Sequence, residues 1–247
     1  MTDITRDRVR VERSAKRVRV LFGGRIIVDT ISPLLVWEVP YYPTYYLPLA
    51  DVDADALVPT GDTKQTDNLG EAAVLTVRVG DKEAAGAALS YSDSPVPELK
   101  NTVKLDWAAM DSWFEEDEEV FFHVRSPYAR IDILDSSRTV RIEVDGMVVA
   151  ESTRPKLLFE TGLPTRYYLP KTDVKQELLE RSQTVSHCPY KGSAEYWSVR
   201  VGDTLHDDLV WSYRLPLPES EKVAGLMAFW DEKVSVYVDG VLQGQRS

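Results

Sequence analysis

The chain has 247 residues, of which 43% are hydrophobic and 28% are charged, as is typical of a folded globular protein. Its net charge of −11 argues against a nucleic-acid partner, because an acidic surface repels the phosphate backbone. No apolar stretch approaches the roughly 20 residues of a membrane-spanning helix, and the polar segment 1–19 lacks the apolar core of a signal peptide. We therefore predict a cytoplasmic protein that contacts neither nucleic acid nor a membrane.

The cysteine and histidine content limits the chemistry that the chain can support. Its one cysteine, Cys188, cannot form an internal disulfide, which agrees with a reducing compartment, and it cannot build a zinc site from paired thiolates. The three histidines, His123, His187 and His206, lack the spacing of metal ligands on one helix. The sequence therefore predicts no metal and no cofactor.

Basic residues are concentrated near the amino terminus of this otherwise acidic chain. They suit either a solvated basic arm or the start of a first strand, and docking onto an acidic partner is a further alternative. The seven residues are Arg6, Arg8, Arg10, Arg13, Lys16, Arg17 and Arg19.

The chain contains one sequence pattern twice, at a constant shift of 122 residues. Tyr-Tyr-Leu-Pro at 45–48 recurs at 167–170, and Val-Arg-Val-Gly-Asp at 77–81 recurs at 199–203. Single residues that match at the same shift are Glu38 with Glu160, Asp51 with Asp173, and Tyr91 with Tyr213. We predict a pseudo-twofold tandem repeat, with domains over 15–114 and 138–243 and a structured linker over 115–137.

Each copy is predicted to consist mainly of strands. In the second copy, alternating apolar and polar residues at 139–144 predict a strand, and Asp145-Gly146 predicts a hairpin turn to a return strand at 147–150. Further strands are expected at 156–160, 166–169, 196–201, 209–213 and 234–238. The fold class is therefore mainly β, with few short helices.

Two short helices are predicted in each copy. In the second copy Asp173 is a candidate N-cap for a helix that ends at Leu179, with Gln176 at the capping-box position. Pro218, followed by a glutamate, predicts the start of another helix that ends near Phe229.

The linker begins with an acidic run at 115–119, which is a candidate solvated turn. The following segment, 121–132, is too aromatic and too specific for a passive tether, so we expect it to pack between the two copies. Its polar and aromatic side chains either contribute to a pocket or fix the copies to each other. These residues are His123, Arg125, Tyr128 and Arg130.

The run Cys-Pro-Tyr-Lys-Gly at 188–192 is the most specific element of a family resemblance. Together with Glu160, the run at 167–170 and Trp-Ser-Tyr at 211–213, it resembles the domain of unknown function 427 family, over essentially the whole of each copy. The linker sequence at 125–130 is similar to that of two-copy members.

The resemblance implies a compact β-rich domain with a tent-like or barrel-like arrangement of strands. This arrangement is related in shape to methionine sulfoxide reductase B, without its zinc, and the family has no established activity. The nucleotidyltransferase label sometimes given to the family has no support here, because no Gly-Ser loop is followed by paired aspartates that could hold two metals. Single-copy relatives would cover the same surface by pairing, so we expect this chain to be a monomer that contains an intramolecular pseudo-dimer.

The first copy lacks most of the specific run. Its equivalent sequence at 66–70 shares only the glycine with 188–192, and Trp211 and Arg166 are replaced by a leucine and a threonine. Selective loss from one copy favours a site in the other.

Two residue types in this run could carry chemistry. Cys188 is a candidate nucleophile if Lys191 or His187 lowers the pKa of its thiol, and the alternative is a small buried apolar side chain. Lys191 could bind an anion or act as an acid or base, and the alternative is an exposed turn lysine. Arg166 is a second candidate cation for an anionic ligand.

Three functions remain open at this point. The first is a small-molecule pocket in the second copy for an anionic metabolite, and the second is an enzyme with Cys188 and Lys191 as catalytic residues. The third is a structural or protein-interaction module, which a flat exposed apolar patch would favour. The predicted ligand-binding residues are Arg166, Tyr168, Tyr190, Lys191, Tyr196, Trp197, Trp211, Arg125 and Tyr128.

Overall fold

The computed structural model describes residues 9–66 and 68–244 of the chain. It forms two compact units, which divide between Ser126 and Pro127. The mainly β class predicted from the sequence is confirmed, because strands provide most of the regular structure and the helical turns of the described residues are all 3-10. In the part of the chain that is described, no helix has the length and apolar character needed to cross a membrane.

The first unit contains eleven strands within its described residues, in two antiparallel sheets. They are β1 (Arg10–Arg13), β2 (Val18–Phe22), β3 (Arg25–Thr30), β4 (Leu34–Trp37), β5 (Thr44–Pro48), β6 (Leu57–Thr66), β7 (Gly70–Val79), β8 (Lys82–Tyr91), β9 (Thr102–Leu105), β10 (Ser112–Glu115) and β11 (Glu118–Val120). The larger sheet has the order β1-β4-β5-β9-β8-β7-β6, and the smaller has the order β11-β10-β2-β3. The 3-10 turns are Leu49–Asp51, Ala54–Ala56, Pro97–Leu99 and Trp107–Ala109.

The second unit also contains eleven strands within its described residues, in three antiparallel sheets. They are β12 (Ile131–Asp135), β13 (Val140–Val144), β14 (Met147–Ser152), β15 (Lys156–Glu160), β16 (Arg166–Tyr168), β17 (Leu179–Cys188), β18 (Gly192–Val201), β19 (Thr204–Tyr213), β20 (Ala228–Phe229), β21 (Ser235–Val238) and β22 (Val241–Leu242). The sheet orders are β12-β15-β16, β14-β13-β21-β22 and β17-β18-β19-β20. The 3-10 turns are Lys171–Asp173, Gln176–Leu178 and Pro218–Val223. Over the described ranges of both units, no sheet closes into a barrel.

The tandem repeat predicted from the sequence is confirmed by the strand bounds. β6, β7 and β8 recur as β17, β18 and β19 at the shift of 122 residues, with the same bounds. After these strands the second unit contains two more residues, so that the pairing of Leu47 with Val103 recurs as the bridge between Leu169 and Met227. The residue equivalences used below follow from this register.

Both ends of the predicted linker form strands. β11 pairs with β10 in the first unit, and β12 pairs with β15 in the second. The pairing of β12 with β15 repeats that of β1 with β4, in which Arg10 lies opposite Trp37. Each unit therefore includes a strand upstream of its first alternating hairpin.

Each unit has its own hydrophobic core, built by period-two alternation along the strands. In β2 the residues Val18, Val20 and Phe22 are buried while the residues between them are partly exposed, and β13 shows the same pattern. Large side chains from both faces complete two clusters in each unit. One cluster in the first unit contains Tyr46, and its counterpart in the second unit contains Tyr168. These two clusters are important for the site described below.

The two helices predicted for the second copy do not form as predicted, although the second begins at Pro218 as expected. Asp173 does not cap a helix, because its carboxylate accepts hydrogen bonds from Ser152 Oγ at 2.7 Å and from the Arg154 guanidinium at 3.0 Å. The chain around it forms two separate 3-10 turns. The other helix is a 3-10 segment that stops at Val223, because the chain then returns as β20 and buries Phe229 against β19.

The described basic residues near the amino terminus belong to the folded unit. Arg10–Arg13 is a strand, which agrees with the second of the two interpretations given above, while Arg6 and Arg8 lie outside the described residues. Lys16 pairs with Glu115, and Arg19 pairs with Asp117 at 2.8 Å. The acidic run at the start of the predicted linker therefore neutralises part of this basic segment.

Candidate functional site

The Cys-Pro-Tyr-Lys-Gly run forms the tight turn between β17 and β18. Cys188 lies opposite Gly192 in the strand register, and Gly192 has φ of +91°, a region that residues with a Cβ rarely adopt. The turn is fixed to the following 3-10 segment, because the Tyr190 carbonyl accepts from Ser220 Oγ at 3.3 Å. The glycine is thus explained by backbone geometry alone.

Lys191 extends from this turn to the end of β15, where its Nζ donates to the Glu160 carboxylate. The side chains are only 12% and 10% exposed, so the pair is nearly buried. Lys191 is therefore not an exposed turn lysine. An anionic ligand would have to compete with Glu160 for its charge.

The guanidinium of Arg166 is also paired with carboxylates. It donates to both carboxylate oxygens of Glu232, at 3.0 and 2.7 Å, and lies 3.2 Å from Asp231. Its Cζ atom lies 5.9 Å from the ring centroid of Trp211 and 5.8 Å from that of Trp230, within the range of cation–π interactions. Burial raises the pKa of Asp231 to about 6, although the nearby Arg166 opposes this shift.

Three of the predicted aromatic residues form one buried cluster. Trp211 donates its indole N–H to Tyr168 Oη at 3.2 Å, with the rings at an angle of 89°, and Tyr196 belongs to the same cluster. Burial raises the pKa of Tyr168 above its usual value. Trp197 faces the other side of β18 and packs against the other cluster of this unit.

The residues predicted to be catalytic are close together in the chain but are not arranged as a nucleophile and base. Cys188 is partly buried, near Tyr168 and Tyr213, whereas His187 lies on the exposed side of β17. The His187 Nδ1 atom is 2.8 Å from Ser193 Oγ, and Lys191 is held by Glu160. A reaction through these residues remains a prediction.

The two linker residues in the predicted set lie in the connection between β11 and β12. Arg125 is partly exposed and Tyr128 is 52% exposed, and both make interactions with other residues. Their membership of a binding site also remains a prediction.

A cavity of about 460 Å³ lies in the first unit, where the sequence predicted no site. Six of the residues that line it have aromatic rings, and two are lysines. The residues that line it include Tyr42, Tyr45, Lys64, Val74, Leu89, Lys104, Asp106, Trp107, Trp113 and His123.

Several of the aromatic rings that line the cavity stack on one another. Trp107 and Trp113 stack with centroids 4.4 Å apart and planes within 3°, and Trp113 Nε1 donates to the Trp107 carbonyl at 3.2 Å. His123 stacks on Tyr42 at 4.3 Å. Such a wall suits a planar ligand.

The two lysines of the cavity differ in their surroundings. Lys104 donates to both carboxylate oxygens of Glu38, at 2.8 and 2.9 Å. Lys64 is exposed, and it has no ion-pair partner within residues 9–66 and 68–244. Glu38 is the counterpart of Glu160, but the two carboxylates are neutralised from different places in the fold. Lys104 in β9 pairs with Glu38, whereas Lys191 in the turn between β17 and β18 pairs with Glu160.

The first unit carries smaller side chains than the second at four positions that line this cavity. Leu89, Val74, Thr44 and Asp106 stand where the second unit has Trp211, Tyr196, Arg166 and Trp230. The exchange of Trp211 for a leucine was visible in the sequence. That exchange predicts the loss of a site, whereas in the structure Leu89 lines the cavity.

These features define the class of protein as a tandem pair of β-rich domains that carry different side chains at equivalent positions. A family model described as domain of unknown function (DUF427) matches residues 10–116 and again residues 132–240. The chain therefore belongs to the DUF427 family and contains two tandem copies of its domain, as the sequence resemblance predicted. No curated protein matches the chain.

Proposed function

We propose that this protein binds a small anionic molecule, and that the ligand occupies the cavity of the first unit. The observation that carries the proposal is the cavity of about 460 Å³, which has stacked aromatic rings and Lys64 among its lining residues. Small-molecule sites are typically concave, mostly apolar and of about 300–1,000 Å³, with a few polar groups that orient the ligand.

The location differs from the second-copy site that the sequence favoured. In the second unit Arg166 and Lys191 are each held by carboxylates, so that binding an anion would require breaking these pairs. In the first unit Lys64 has no such competitor among the described residues, and its charge can attract an anion to an otherwise acidic protein. The first-unit cavity therefore supports a binding function better than the second-unit cluster.

A thermal-shift screen of aromatic and aliphatic carboxylates and phosphates tests the proposal. A ligand present at a hundred times its Kd should stabilise the first unit by about 2.7 kcal/mol, which corresponds to a rise in Tm of about 10 °C. Leu89→Trp, which introduces the residue found in the second unit, should abolish the shift because it fills the cavity.

Lys64→Ala should reduce the shift, whereas the matched control Lys175→Ala, at an exposed lysine of the second unit, should leave it unchanged. Ligands whose shift survives Leu89→Trp would bind elsewhere, and the assignment to this cavity would then be incorrect. A screen without any stabilising compound would refute the binding function itself.

A further inference from the structure

The cavity of the first unit is lined by two opposite charges that have no counterion among residues 9–66 and 68–244. Lys64 and Asp106 are both exposed, and neither takes part in an ion pair there, with the other or with a third residue. One carboxylate oxygen of Asp106 accepts from the Ala108 N–H at 3.1 Å, which caps the 3-10 turn that begins at Trp107. Both charges are therefore available to a ligand in the cavity.

These two charges are present in the first unit alone. At the positions equivalent to Lys64 and Asp106, the second unit carries Ser186 and Trp230. The other lysine that lines the cavity, Lys104, is already paired with a carboxylate. A ligand with only an anionic group would meet Asp106 as a like charge, whereas a zwitterion complements both charges.

The strand register places the two charges far apart in the cavity. Thr63, next to Lys64 in β6, is connected by cross-strand pairs through β7 and β8 to Val103 in β9. Asp106 lies three residues beyond Val103, in the direction that leads away from Lys64. Neighbouring strands lie about 4.8 Å apart and each residue advances about 3.3 Å, so the two backbones are separated by about 14 Å across the strands and about 13 Å along them. Even if both side chains extend towards each other, about 10 Å remains between the charges.

Aromatic rings beside Asp106 also favour a cation. Trp107 follows it directly and stacks on Trp113, with centroids 4.4 Å apart, and both residues line the cavity. Trp107 is partly exposed, so a ligand can reach it. Because a tryptophan ring attracts a cation through its quadrupole, a carboxylate next to an indole ring suits an organic ammonium group.

We infer that the ligand of the first unit is an elongated aromatic zwitterion. Its anionic group binds Lys64, its cationic group binds Asp106 beside Trp107, and a ring with a flexible chain spans the distance of about 10 Å between them. An α-amino acid carries its two charges on neighbouring atoms and cannot reach both residues. This inference rests on the proposed function and adds a cationic group to its anionic ligand.

Two probes that differ only in the cation test the inference. In 4-(4-aminomethylphenyl)butanoate an ammonium and a carboxylate lie at opposite ends of a ring and chain, whereas 4-(4-ethylphenyl)butanoate has a methyl group in place of the ammonium. Isothermal titration of the full chain at pH 7.5 should show the zwitterion binding roughly three- to tenfold more tightly, as expected for an exposed ion pair with a cation–π contact.

Variants of Asp106 show whether this residue binds the cation. Asp106→Asn keeps a side chain that can cap the turn but removes the charge, so it should bring the two affinities together. Asp106→Ser, which can also cap, replaces it if Asp106→Asn does not fold. Asp81→Asn, at an exposed turn aspartate of the first unit outside the cavity lining, is the matched control and should keep the discrimination. Lys64→Met should weaken both probes equally.

A second pair of probes tests the separation of the charges. Phenylalanine and 3-phenylpropanoate also differ in an ammonium group, but in phenylalanine this group lies next to the carboxylate. Phenylalanine should therefore bind no more tightly than 3-phenylpropanoate. A gain as large as that of the longer zwitterion would overturn the inferred separation.

Equal affinities of the two long probes for the wild type, both dependent on Lys64, would overturn the zwitterion inference and leave the proposed function standing. Discrimination that persists in Asp106→Asn would also overturn it, because the cation would then bind elsewhere. If neither long probe binds while the screen yields another ligand for this cavity, the ligand class is wrong. If no compound of either kind binds, both proposals fail.

Discussion

The buried pair of Lys191 and Glu160 leads to a prediction about stability, and the equivalent pair in the first unit provides a reference for its size. Lys191→Met keeps most of the apolar stem but leaves the Glu160 carboxylate without its counterion. The side chains are 12% and 10% exposed, and removing one partner of such a pair costs about 3 kcal/mol.

The pair of Lys104 and Glu38 serves as the reference. Its side chains are 27% and 21% exposed, so water screens the unpaired carboxylate more effectively. We expect Lys104→Met to cost about 1 kcal/mol, and hence less than Lys191→Met.

Urea unfolding followed by tryptophan fluorescence measures both costs, since each unit contains three of the six tryptophans. For an m-value of about 2 kcal/mol/M, Lys191→Met should lower the midpoint of the second unit by about 1.5 M. The double variant Lys191→Met with Glu160→Gln should recover part of this loss, because no unpaired charge is then buried.

Two outcomes would refute the reasoning. If Lys191→Met costs no more than Lys104→Met, the difference in burial has no energetic effect. If the stability lost by the double variant equals the sum of the losses of Lys191→Met alone and Glu160→Gln alone, Lys191 and Glu160 do not interact. The turn that carries Lys191 must then be held by other contacts.

Two further predictions concern a carboxylate and a pair of glycines. Burial raises the folded-state pKa of Asp231 above the usual value of about 4 to about 6, so its contribution to stability is complete below pH 4 and is lost as the pH rises through 6. Between pH 4 and 8, Asp231→Asn should therefore gain about 2 kcal/mol relative to the wild type in urea unfolding, and parallel pH profiles would contradict this. Gly70 and Gly192 have φ of +88° and +91°, but a Cβ on Gly70 would lie 2.6 Å from Pro95 Cδ, whereas one on Gly192 would lie at least 3.5 Å from its neighbours. Calorimetry should show a loss of about 1 kcal/mol for Gly192→Ala and a larger loss for Gly70→Ala, and equal losses would show that Pro95 moves aside.

The repeat and the alternating strands could be predicted because their signals are local or are repeated in the sequence. The strand β17 was not predicted, since it is a polar edge strand whose alternation is interrupted by an irregularity between Arg181 and Val185. The helices were predicted wrongly because the capping and proline signals at Asp173 and Pro218 are also met by 3-10 turns. Tertiary contacts decided which structure formed.

The candidate site was harder to predict than the fold. Lys191 and Glu160 are 31 positions apart, and no local pattern shows that they neutralise each other. A cavity is empty space, and only the residues around it appear in the sequence. Its sequence signal here is a smaller side chain at an equivalent position, such as Leu89 in place of Trp211. That signal can be interpreted only when the contacts of the larger residue are known.

The strands at both ends of the connection determine where the chain can be divided. β11 ends at Val120 and β12 begins at Ile131, so the ten positions between them are the range in which a cut leaves every observed strand pair intact. A cut placed earlier would strip β11 from the edge of its sheet, and one placed later would expose β15 as a new edge open to aggregation. Separate expression of the two units, with the division near Ser126, would thus give each pocket region an independent unfolding transition.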